Sequence, residues 1–152
     1  MNTRTARIHS AAGFTLVELM VVLAIIAMLA GVVMYNLAPN LLQGKQTTAQ
    51  AQIQVLSTAL QSYASQQGRL PTQDQGLQAL IEKPTRPPVP PRFPEGGYLT
   101  SRELPLDPWG APYLYLAPGR AGEPFEVISF GADGEEGGTG ANADISSAHP
   151  NH

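Results

Sequence analysis

The sequence predicts an α+β fold in which one long N-terminal helix packs on a small C-terminal antiparallel sheet. Three observations lead there. Residues 19–35 read LMVVLAIIAMLAGVVMY, an apolar run without a charge. Ala49, Ile53, Leu56, Leu60 and Tyr63 then recur at steps of 4, 3, 4 and 3, the spacing of one helix face. Later the pattern shortens to YLYL (113–116) and FEVISF (125–130), two strand-length runs around a turn at Pro118-Gly119. With 152 residues the chain has the usual size of one domain. Neither an amphipathic helix nor a half-covered sheet buries its apolar face alone, so the two close on each other.

Residues 1–13, MNTRTARIHSAAG, carry Arg4 and Arg7 and no acid, the pattern of a basic leader ahead of an apolar run. Residues 14–35, FTLVELMVVLAIIAMLAGVVMY, span about 33 Å as a helix, enough for a ~30 Å hydrocarbon core. The expectation is a single-pass transmembrane helix with the leader in the cytoplasm and the body across the membrane. A cleaved secretory signal fits less well, because its apolar region is only ~7–15 residues long. Glu18 stands out, since an acid within a spanning segment costs roughly 2.5–3.5 kcal/mol and asks for a partner. It lies near the helix N-terminus, where the dipole favours a carboxylate. Cleavage after Gly13 would place a free amine on Phe14, four residues from Glu18.

Around Pro39 and Gly44 the helix has a place to kink or loosen, since proline lacks an N–H and glycine propagates helix poorly. Residues 36–68 form its amphipathic half, with Gly68 able to cap it. Residues 69–152 make the globular body. There, TQDQGLQALI predicts a short helix with Leu77, Leu80 and Ile81 inward. The stretch 84–94, PTRPPVPPRFP, reads as an extended connector packed on the surface, the alternative being a ligand for an aromatic-grooved domain. In the second strand run Phe125, Val127 and Ser129 share one face and Glu126 and Ile128 the other, as in a half-buried strand. Trp109, in LPLDPWGAPY (104–113), is expected as a large buried anchor.

Composition removes most chemistries. There is no cysteine, so disulfides, thiolate metal sites and Cys nucleophiles are excluded. The histidines, His9, His149 and His152, lie outside the predicted body and leave no His-based catalytic centre. Net charge is -3 with Lys and Arg scattered, which argues against a nucleic-acid partner. The loop GADGEEGGTGANADI (131–145) gathers Asp133, Glu135, Glu136 and Asp144 without a Lys or Arg. Read from residues alone, it is either a hard-cation site of carboxylate, amide and carbonyl oxygens or a solvated acidic surface. A paired-carboxylate glycosidase is the weaker third reading, because no aromatic cleft accompanies it.

Gly13-Phe14-Thr15-Leu16-Val17-Glu18 and the following apolar run resemble the processing site of type IV pilins and pseudopilins. RLPTQDQGL (69–77), EKP (82–84), LPLDPWGAPY (104–113) and GADGEEGG (131–138) together resemble the major pseudopilins of type II secretion systems, over nearly the whole chain. The resemblance implies a type IV pilin-like fold and a non-enzymatic, structural role. A prepilin peptidase/methyltransferase would cut between Gly13 and Phe14 and methylate the Phe14 amine, and Glu18 would serve methylation and assembly. It implies Ca2+ in the acidic loop, held by the Phe130 carbonyl, Asp133, Asn142 and Asp144, with Asn142 standing where the family usually has Asp. Tyr35 replaces a proline common after the apolar run, and a C-terminal Trp common in the family is absent. The implied subunit is stored in the inner membrane and added to a homopolymeric periplasmic pseudopilus that helps export folded proteins through the outer membrane. N-terminal helices pack in the filament core, with minor pseudopilins and the inner-membrane secretion platform as further partners. A surface or competence pilin, or a membrane-anchored extracytoplasmic binding module, is the alternative.

Overall fold

The structure is a computed structural model that describes residues 14–148, over 32–40 as helical backbone. Helix α1 runs Leu16–Gln67, followed by a 3-10 turn at Leu77–Leu80, strands β1 (Leu114–Leu116) and β2 (Glu126–Ser129), a second 3-10 turn at Gly140–Asn142, and β3 (Ile145–Ser146). Helix α1 continues through Pro39 and Gly44, where loosening is expected. A proline removes one i→i−4 bond and a glycine weakens propensity, and neither ends this helix. The chain divides into two units, residues 1–40 and 41–152.

In the first unit Thr15 starts the helix. Its Oγ1 accepts the Glu18 N–H at 3.2 Å and its carbonyl accepts the Leu19 N–H at 3.1 Å. This is half of a capping box, in which Thr three residues before Glu satisfies an orphan amide of the first turn. From Phe14 to Gly31 every side chain is exposed. The expected transmembrane helix over 14–35 is corrected here: among the described residues no helix is long and apolar enough to cross a membrane. The helix also carries the Glu18 carboxylate in its first turn. The single-pass, inner-membrane location drawn from that helix falls with it.

In the second unit the helical stripe is the core. Ala49, Ile53, Leu56, Leu60 and Tyr63 are all buried, joined by Ala59. Leu77, Leu80, Tyr113, Tyr115 and Val127 pack with them. Each fully buried Leu contributes about 1.5–3 kcal/mol relative to exposure. The helix ends at Gly68, whose φ of 71° is the left-handed conformation a helix C-terminus asks for, with its N–H bonded to the Ala64 carbonyl at 2.8 Å. Of the three inward residues expected in the short helix, Leu77 and Leu80 are buried, while Ile81 is half-buried as its C-cap.

The sheet has the order β1-β2-β3, antiparallel throughout, with Tyr115 opposite Val127 and Ile128 opposite Ser146. Being central, β2 is buried on both faces rather than one, so the half-buried alternation expected of FEVISF does not hold. The proline-rich stretch is a packed connector. Side-chain amides of Gln67 and Gln75 and the Arg69 guanidinium donate to the carbonyls of Arg92, Arg86 and Pro88. Trp109 is half-buried rather than fully enclosed, with Lys45 Nζ 5.9 Å above its ring centroid. Beside it the buried Asp107 accepts from the Trp109 and Ala111 amides at 3.0 and 2.8 Å and from Ser129 Oγ at 2.7 Å. One carboxylate thereby ties the DPWG turn to the central strand.

Candidate functional site

Two regions carry the residues singled out by sequence. At the N-terminus Gly13 lies outside the described residues. Phe14 immediately precedes the capped first turn and is 81% exposed, and Glu18 is exposed in that first turn. A carboxylate at this position faces the free N–H groups and positive end of the helix. Phe14, Leu16, Val17, Leu19 and Met20 surround Glu18 with exposed apolar surface.

The second region is the acidic glycine loop, residues 131–145. Its chain is closed by Ala132 N–H to the Ala141 carbonyl at 3.0 Å, and Gln46 Nε2 on α1 donates to the Gly140 carbonyl at 2.6 Å. The Ca2+ expectation is corrected by how the loop spends its oxygens. Asp133 Oδ1 accepts the Glu135 N–H at 3.2 Å, capping its own turn. Asp144 Oδ1 accepts the Gly137 N–H at 3.0 Å, and its Oδ2 lies 3.8 Å from Arg120. Asn142 is exposed on the Gly140–Asn142 turn, and Phe130 is half-buried where the chain leaves β2. Among the described residues no group of three or more His, Cys, Asp or Glu side chains is gathered to hold a metal ion. The metal-binding reading placed on Phe130, Asp133, Asn142 and Asp144, and its Ca2+ cofactor, therefore find no support.

The counter-charge comes from Arg120, outside the loop in sequence but in reach of its Glu136 and Asp144. Its Nη2 meets Glu126 Oε1 at 3.0 Å and its Nη1 meets Glu136 Oε1 at 2.7 Å. Glu126 is 2% exposed, and also accepts from Ser146 Oγ at 2.6 Å and the Arg120 amide at 3.0 Å. Burial, the largest influence on this carboxyl, pushes its pKa up. The hydrogen bonds from Arg120 and Ser146, with the guanidinium charge, outweigh burial and bring it down to about 2. The same bond to Glu126, partly opposed by burial, raises Arg120 further above its ordinary range. Chemically this is a charged clasp that joins the β1–β2 connection, the buried face of β2, β3 and the acidic loop. Sequence reasoning missed Arg120 and Glu126, although an acid inside the apolar run FEVISF is itself the sign of a buried charge that needs a partner. It also missed the cap at Thr15, legible as Thr-x-x-Glu.

Comparison with known proteins places these features. The family described as type II secretion system (T2SS), protein G matches residues 36–148, and the prokaryotic N-terminal methylation motif matches residues 8–34. The type II secretion system core protein G of Pseudomonas aeruginosa is 46% identical over 133 residues, covering 88% of this chain and 92% of that protein. The protein of the same name from Vibrio cholerae is 47% identical over 133 residues, covering 88% of each. The crystal structure of the major pseudopilin from the type 2 secretion system of enterohaemorrhagic Escherichia coli is similar at a TM-score of 0.62 and 34% identity, over 74% of this chain and 93% of that one. The chain belongs to the type II secretion system protein G family and is a non-catalytic pseudopilin, a subunit of the pseudopilus that assembles with its machinery.

Proposed function

We propose that residues 1–13 are a leader removed between Gly13 and Phe14 by a prepilin peptidase, which then methylates the new Phe14 amine. Residues 14–35 are the assembly helix, 36–68 its amphipathic continuation and 69–152 the globular part. Subunits join as a homopolymer by packing the apolar surface of their assembly helices, with minor pseudopilins and the secretion platform completing the assembly. The observation that supports this is a single carboxylate in a helix surface that is otherwise apolar and exposed: Glu18 among Phe14, Leu16, Val17, Leu19 and Met20. When copies pack together, that surface leaves water and the carboxylate with it. An unpaired buried charge is costly, so Glu18 takes the Phe14 amine of a neighbouring copy as its partner.

Intact mass of the protein purified from a secreting cell tests the processing step. The expected chain begins at Phe14 and is one methyl group heavier than unmodified, and a mature chain beginning elsewhere refutes it. Glu18→Ala is expected to accumulate as subunit while filament yield and secretion fall at least tenfold. Normal filaments from that variant would remove the role of Glu18 and leave the processing result standing.

A further inference from the structure

Charge in the second unit is divided along α1. At one end the side-chain amides of Gln67 and Gln75 and the Arg69 guanidinium hold the proline-rich connector by its carbonyls, at Arg92, Arg86 and Pro88. Arg69, Lys83, Arg86 and Arg92 are all exposed there. At the other end Gln46 Nε2 holds the acidic loop by the Gly140 carbonyl. Gln46 and Gln67 lie about 31 Å apart along the helix at its standard rise.

Neither end neutralises itself. Every ion pair among the described residues belongs to Arg120, which takes Glu136 and Asp144 from the loop. Asp133 and Glu135 are left exposed without a cation. At the connector Asp74 and Glu82 line the same cleft as Lys83 and Arg86, yet neither acid forms an ion pair with them. A chain that polymerises into a filament needs a heterologous contact, two different faces that fit each other, because a self-complementary face closes a dimer. Opposite free charges at opposite ends of one body are such a pair of faces. Copies set side by side at one height would instead bring like charge to like, which is penalised.

We propose that the second units of successive copies stack end to end, the connector of one docking on the acidic loop of the next, with Arg86 and Arg92 taking Asp133 and Glu135 of the neighbouring copy. This rests on the homopolymer reading above and adds the contact that fixes its axial register. A guanidinium suits the task, since its planar fork meets a carboxylate with two parallel N–H donors. Six prolines in residues 84–94 stiffen the connector's main chain, so little backbone freedom is lost on docking.

Filaments of the full chain carrying Arg86→Lys/Arg92→Lys, which keeps both charges, test the contact by carbodiimide treatment, which joins a lysine to a carboxylate it touches. The expected product links position 86 or 92 to Asp133 or Glu135. Because those groups lie at opposite ends of one copy, the link marks a contact between copies. Filaments without it overturn the docking and leave the homopolymer standing, whereas a chain that forms no filaments even unmodified removes both. Charge reversal gives a second reading. Arg86→Glu/Arg92→Glu should lower filament yield at least tenfold, and adding Glu135→Lys should raise it again at least threefold. No loss, or a loss without recovery, overturns the proposal.

Discussion

Replacing Arg120 by Met is the sharpest perturbation of the clasp, because Met keeps the aliphatic bulk and deletes the guanidinium. Glu126, 2% exposed, would retain only Ser146 Oγ and the residue-120 amide. Its pKa of about 2, against an ordinary 4.5, corresponds to ~3 kcal/mol of preference for the charged folded form. Not all of that is lost, since Ser146 and the amide remain and Arg120 is 38% exposed, so water screens part of the pair. A fall of about 2 kcal/mol at pH 7 is the expected result, between the worth of an exposed pair and the 3–5 kcal/mol for breaking a buried one. Urea unfolding of the full chain in non-ionic detergent, followed by the fluorescence of its single Trp109, measures it. Glu126 is a group with a depressed pKa, so its stabilisation is complete above pH 4.5 and is lost as pH falls through about 2. The gap between wild type and variant should therefore close towards pH 2. Adding Glu126→Gln should recover much of the loss by removing the stranded charge. A variant within 0.5 kcal/mol of wild type at pH 7, or a gap unchanged by acid, would refute the clasp.

Leu60→Ala, in the fully buried helical stripe, is expected to cost about 2–5 kcal/mol in the same unfolding assay. Asp107→Ala strands two amides and the Ser129 hydroxyl, and should cost about 3 kcal/mol while red-shifting Trp109 emission as the DPWG turn loosens. Gly138 has φ of 84°, and a Cβ there would sit 2.6 Å from the Asn142 carbonyl oxygen, so Gly138→Ala should open residues 131–144 to limited proteolysis and lower stability by more than about 1 kcal/mol. Tyr115, its phenol raised to about 12 by burial and then by Tyr63, stays neutral in the folded chain. Stability should thus fall as pH rises above 10, read by unfolding at pH 9, 10 and 11.

What was legible in the sequence divides by range. The stripe from Ala49 to Tyr63 and the stop at Gly68 are local signals of period and backbone freedom, and the structure repeats them residue for residue. The strands were legible as runs, but the burial of β2 was not, because a central position depends on what covers its second face. The central position is made by β3, two residues long and without a periodic signature, and the Arg120 connection meets the Glu126 side. The acidic loop misled for the same reason. Read along the chain, 131–145 has four carboxylates and no cation, and a metal ion is the natural inference. In space the β1–β2 connection brings Arg120 to Glu136 and Asp144, while backbone amides of Glu135 and Gly137 take Asp133 and Asp144. Glu126 was the pointer available before any coordinates. An acid between Phe125 and Val127 in a strand cannot be left unpaired, and the loop's own residues offer it nothing. The cation it needs must come from another segment, and Arg120 lies just across the turn that precedes the strand. A buried acid in an apolar run thus predicts a basic residue on an adjoining connection, and any acidic loop packed nearby shares that charge.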